Sequence, residues 1–193
     1  MNDNLRRVVM MVALLNLAYF GIEFGVARAI GSVSLFADSV DLLEDASLNI
    51  LIAVALSWSA RNRAALGMGL AGLLLVPGVA TVWTAWLKFH SPLPPAAFTL
   101  SVTAGGALVV NLCCALILAR YRRLGGSLTR AAFLSSRNDV LANVAMIICG
   151  FITVVTRSGW ADLLVGLGVA GLNADAAVKV WRSARAEHRS SGI

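Results

Sequence analysis

Of the ten acidic residues in the chain, four fall close together: Asp38, Asp41, Glu44 and Asp45, inside the run LFADSVDLLEDASLN from Leu35 to Asn49. The sequence on either side is apolar enough for lipid. A carboxylate deep in a bilayer is disfavoured by about 3 kcal/mol on insertion scales, so its default reading is functional. On a helix Asp41 and Asp45 are i and i+4, which puts them on one face, one turn apart. Asp38 and Asn49 extend that stripe, and Glu44 flanks it. Carboxylates crowded in this way repel one another, and a bound cation or protons supply the missing counter-charge.

A second polar patch repeats part of this pattern 94 positions later: Asp45 falls on Asp139, Asn49 on Asn143, Glu44 on Asn138 and Asp41 on Ser135. Both segments read D-x-x-x-N, which predicts two helices that meet and share a site. Asp41, Asp45 and Asp139 would bring charged oxygens to it, Ser135 a hydroxyl, and Asn49 and Asn143 carbonyl oxygens. An all-oxygen set suits harder divalent ions, whereas zinc recruits His or Cys. Manganese or iron is therefore favoured as the substrate cation, with zinc, cobalt and nickel still admitted. His90 and His188 fall in a loop and in the tail. Cys113, Cys114 and Cys149 lie in apolar runs with no C-x-x-C spacing and are expected to be small buried packing residues.

The elements that must position these residues are helices in a membrane. The chain of 193 residues is 59% hydrophobic and only 13% charged, against about 25% for a soluble domain. Six apolar runs are readable: Val8 to Ala27, Val33 to Trp58, Ala64 to Phe89, Ala96 to Tyr121, Ala131 to Thr156, and Trp160 to roughly Trp181. Each is long enough to span a bilayer. Arg6 and Arg7 precede the first run as in a signal peptide, but Asn16 and Glu23 interrupt it and its length favours a retained span. Pro77-Gly78 predicts a kink in the third run. Twelve of the 16 Lys and Arg residues gather on the side of the termini and three on the other, which predicts that both termini are cytoplasmic. The net charge of +6 is then a membrane-orientation signal, and no nucleic acid is expected as a partner. The expectation is an all-α membrane protein. A single six-transmembrane-helix bundle would cover 1–182, followed by a short, frayed cytoplasmic tail over 183–193.

Other polar residues have plainer expectations. Asp38 would cap or pair near the start of the second span, and Glu23 would be a buried hydrogen-bonded or pathway residue. Asp162 would be an N-terminal helix charge aligned with the macrodipole. Arg137 would neutralise Glu44 or Asp139, or reach the cytoplasmic surface.

The run NLAYFGIEFGVARAIGSVSLFADSVDLLEDASLN resembles the first two spans of cation diffusion facilitators. There an Asn, an aromatic and a Glu precede a G-S-x-S-L-x-A-D turn and a metal-binding pair four residues apart, here Asp41 and Asp45. LTRAAFLSSRNDVLANVAMIICG resembles the fifth span of that family, where the second pair is Ser135, in the place of a His or Asp, and Asp139. WADLLVGLGVAGL, with Asp162, resembles the start of the sixth. The resemblance covers nearly the whole chain. It implies a proton-coupled exporter of divalent cations, not an enzyme, with four ligands between spans two and five. It further implies a homodimer in lipid, in a bacterial-type inner (plasma) membrane. About a dozen residues follow the sixth span, so the short form without the C-terminal cytoplasmic domain is expected. Rival readings are a non-transporting or degenerate member of the same fold, and a carboxylate antiporter for monovalent cations. A metal-dependent membrane phosphotransferase is a further rival. Its D-x-x-D-G-x-x-A-R pattern begins at Asp38 and Asp41 but meets Leu42 where Gly belongs.

Overall fold

The structure is a computed structural model that describes residues 2–55, 79, 81–90, 93–121 and 126–190. The kink expected at Pro77-Gly78 lies outside the described residues. Six helices are described: α1 (Asn2–Ile30), α2 (Val33–Ala55), α3 (81–89), α4 (Ala97–Tyr121), α5 (Gly126–Thr156) and α6 (Trp160–Ser190). No strand occurs among the described residues. In lipid each backbone N–H and C=O must be satisfied within its own segment, and the helix does this.

Among the described residues, three segments are long and apolar enough to cross a membrane: Asn4–Ile30, Ala97–Arg120 and Asp139–Thr156. With 23 residues, α2 reaches about 35 Å at 1.5 Å per residue. Its acids, not its length, keep it out of that set. The bundle is polar inside and apolar outside. Leu14, Phe98, Phe151 and Val155 face outward, while Asn16, Glu23, Asp38, Asp45 and Asn143 are buried. That inversion of the soluble pattern is what a lipid solvent selects.

Two tight turns set the helix directions. Between α1 and α2, Gly31 takes a left-handed φ of 65°, which a residue without Cβ adopts freely. The turn is closed by Ser32 N donating to Ala27 O at 3.0 Å. Between α5 and α6, Arg157 has a φ of 51°, and its N–H bonds Thr153 O at 2.9 Å. Each pair is therefore an antiparallel hairpin.

The two hairpins are joined at the starts of α2 and α6. Asp162, in the first turn of α6, accepts hydrogen bonds from Ser32 Oγ (2.6 Å), Ser34 Oγ (2.6 Å), Val33 N (2.8 Å) and Ser34 N (3.2 Å). The first N–H groups of a helix have no partner inside it. Here a carboxylate from another helix satisfies them, with its charge aligned to the dipole of α2. Gly166 permits the close approach, because a Cβ there would lie 2.7 Å from the Val33 carbonyl carbon. Asp162 was expected as a charge for its own helix; it also caps its neighbour.

These contacts make α2 and α6 parallel, with α1 and α5 running the other way. α4 runs with α2. Its Leu100 and Ala104 pack with Leu35, Ala27, Met146 and Cys149 near the capped end, and its Cys114 and Leu118 pack with Val9, Val12, Ile52 and Ala53 at the other.

Two local expectations change. The tail was expected to fray, but α6 continues to Ser190. Its Ala, Arg and Glu residues are strong helix formers once the chain leaves the apolar layer. Cys113 was expected to be buried but is exposed on the outer face, whereas Cys114 and Cys149 are buried and all three are free thiols. Adjacent positions on a helix point about 100° apart, so one of two neighbouring cysteines must turn outward.

Because Asp162 anchors the start of α2, it also sets the height and rotation of the acidic stripe. Asp162→Ala strands four buried donors and is expected to lower stability in detergent by about 3 kcal/mol. Asp162→Asn, which keeps one acceptor oxygen, is expected to lose roughly half of that. Thermal unfolding followed by circular dichroism measures both, and identical melting of the three proteins would mean that the cap contributes nothing.

Candidate metal centre

On α2 the stripe faces the bundle interior: Asp38, Glu44, Asp45 and Asn49 are buried, and Asp41 is half-buried. From α5, Ser136, Asp139 and Asn143 are buried as well. The backbone of Ser135 lies within α5, but its side chain is outside the described ones. Arg137 is exposed on α5.

The two polar faces meet. Ser136 Oγ donates to Asp45 Oδ2 at 3.2 Å, and the carboxyls of Asp45 and Asp139 lie within hydrogen-bonding reach of each other. Asp41 shares their electrostatic neighbourhood, acted on by Asp139, Asp38, Glu44 and Asp45. Among the described residues, no three His, Cys, Asp or Glu side chains close into a group that could hold a metal. In this conformation the acids of α2 and α5 converge as the pair Asp45 and Asp139.

The repeated D-x-x-x-N acquires a geometric meaning. Asn49 Nδ2 donates to Asp45 O, and Asn143 Nδ2 donates to Asp139 O, each at 2.8 Å. Each amide is thus tied back to the preceding turn of its own helix. Its carbonyl oxygen is left buried and without a hydrogen-bond partner. Since α2 and α5 are antiparallel, the two Asn residues lie on opposite sides of the acid pair along the bundle axis. Asn143 is toward the capped end of α2, and Asn49 is toward the other end. A carbonyl oxygen with no donor is an acceptor open to a cation.

Other residues join the site that the D-x-x-x-N spacing did not mark. Ser136, next to the position picked out by spacing, brings its hydroxyl to Asp45. The thiol of Cys114 on α4 is within electrostatic reach of Asp45 and Asp139 and donates to Asn16 Oδ1 on α1 at 3.5 Å. Asn16 Nδ2 and Asn111 Oδ1 are buried without partners. Isolated Asn residues in apolar runs were the available signal for these last two. Nothing in the spacing distinguished Cys114 from Cys113, and the repeat pointed to Ser135 without marking Ser136.

The arrangement is a buried, largely oxygen-lined centre with two carboxyls in contact, in a protein built for lipid. Such a centre accepts positive charge, as a cation or as protons, and releases it again. No curated protein matches the chain. Residues 9–187 match the family model described as the cation efflux transmembrane domain. That match runs from the first to the last helix of the bundle and takes in every residue of the candidate centre. The chain therefore belongs to the cation efflux, or cation diffusion facilitator, family, and is an integral membrane transporter of divalent metal cations rather than an enzyme.

Proposed function

We propose that this protein exports divalent metal cations from the cytoplasm in exchange for protons, at a centre made by Asp41 and Asp45 of α2 and Ser135 and Asp139 of α5. Asn49 and Asn143 serve as carbonyl donors on either side. The observation that carries this reading is the meeting of the Asp45 and Asp139 carboxyls between two antiparallel helices. Two carboxylates balance one divalent ion, and the same oxygens take protons when the ion leaves. The donors are mostly oxygen, so manganese or ferrous iron fits better than zinc, although cobalt, nickel and zinc remain in the range of a centre flanked by a thiol.

Six spans form a single transmembrane domain over 1–182, and the Lys and Arg asymmetry between their connections places both termini in the cytoplasm. The capped end of α2 then faces away from the cytoplasm. Alternating access is a rocking of helices around a centre near the midplane. The exposed apolar faces are covered by lipid or by a second copy, in a homodimer in the plasma (inner) membrane.

The test is a panel of metals offered to inverted vesicles and to proteoliposomes loaded with a pH indicator. Wild type is expected to show manganese-driven proton counterflow, and Asp45→Ala and Asp139→Ala are each expected to reduce it to background. Flux at the wild-type level in either variant would remove the shared centre, and metal binding without flux in wild type would favour a non-transporting member of the family. Ser135 offers a separate check on selectivity. Placing an imidazole there, as Ser135→His, is expected to shift preference toward zinc over manganese on the order of tenfold. An unchanged zinc-to-manganese ratio would take Ser135 out of the centre.

A further inference from the structure

A second pair of acids lies apart from Asp45 and Asp139. Glu23 of α1 and Asp38 of α2 are both 0% exposed. Their carboxyls are within hydrogen-bonding reach of each other. Yet no N–H or O–H group reaches any of their four oxygens among the described residues. A neighbouring hydroxyl is committed elsewhere. Tyr19, one turn before Glu23, donates to Thr103 O at 2.8 Å. Gly106 has no side chain to block its ring, since a Cβ there would collide with the Tyr19 hydroxyl.

Contact between two carboxyls with no other donor has a specific chemistry. Two ionised carboxylates hold only acceptors and repel. One proton turns the contact into a hydrogen bond between an acid and its neighbour's carboxylate, which is among the stronger kinds. None of the described groups that act on the pair is positively charged. Tyr19 from α1, Asp41 and Asp45 from α2 and Asp139 from α5 are the titratable groups that act on the pair or on its members. α4 contributes no acid, and its Arg120 lies in the last turn at the far end. On α6, Asp162 is taken up by the cap of α2. The pair also has a place along the axis. Asp38 precedes Asp45 by about two helical turns, roughly 10 Å, toward the capped end of α2.

We infer that Glu23 and Asp38 hold one proton between them, as a proton site separate from the cation ligands. The proton sits on one Oε of Glu23 or one Oδ of Asp38 and bridges to the other, so the pair carries a single negative charge. When a cation occupies the neighbouring centre, the shared proton leaves to water and both carboxyls stand ionised. When the cation departs, a proton returns. No electron moves and no other bond changes. The role in the cycle rests on the exchange reading above; the protonated pair itself rests on its own geometry.

The test uses the full chain purified in detergent, with infrared spectroscopy of protonated carboxyls and a pH indicator for protons released by manganese. Glu23→Gln and Asp38→Asn each supply an amide N–H that does the bridging proton's work. Without metal, the buried-acid band is expected to persist in the double variant Asp45→Asn, Asp139→Asn and to lose the contribution of one carboxyl when Glu23→Gln or Asp38→Asn is added. With metal, Glu23→Gln is expected to bind manganese within about threefold of wild type and to release about one proton fewer per manganese. A band that neither amide variant diminishes overturns the inference, as does unchanged proton release in Glu23→Gln. If manganese fails to bind wild type, the exchange reading falls, while the band still decides whether the pair holds its proton.

Discussion

The contact between the acidic faces of α2 and α5 is the constraint that the rest of the bundle answers to. Asp45 and Asp139 meet in the interior, where the Ser136 hydroxyl donates to Asp45. Like charges in a weakly polarisable medium push apart unless a counter-charge or a proton intervenes. The helices must therefore be held together by other means. Apolar packing at both ends of the bundle and the link between the two hairpins do this. The exchange of a cation for protons proposed above would then leave the bundle intact.

The carboxylates inside this protein differ in their donors more than in their burial. Asp162 is buried and receives four hydrogen bonds from the start of α2. A carboxylate so fully supplied is stable as an anion, and its function is structural. Asp38 and Glu23 are equally buried and receive none from the described residues. The same chemical group is a fixed anchor in one place and, in the inference drawn above, an exchangeable acceptor in another. The number of N–H and O–H groups aimed at it separates the two roles.

The Asn residues after each acid show a related economy. A side-chain amide has a donor end and an acceptor end. In Asn49 and Asn143 the donor end is used on the carbonyl one turn back, which fixes the side chain against its own helix. The acceptor end is left facing the interior. A hydroxyl at the same position would also bond back to the preceding turn, but it would not present a carbonyl oxygen to an ion.

Much of this was readable from the residues alone. Helical class follows from long apolar runs, because lipid leaves the backbone no other way to satisfy itself. The inward stripe of α2 follows from helical period, which is a local property. The direction of the pairing was not local. The D-x-x-x-N repeat reads as a translation along the chain, but the helices carrying it run opposite ways, so the two Asn residues end on opposite sides of the acids. The partnership of Glu23 with Asp38, the part taken by Ser136 and Cys114, and the capping of α2 by a residue of α6 likewise required the packed bundle. Spacing along one helix tells which side chains share a face. Only the rotation and height of one helix against another, set by packing and by the Asp162 cap, decides which faces touch.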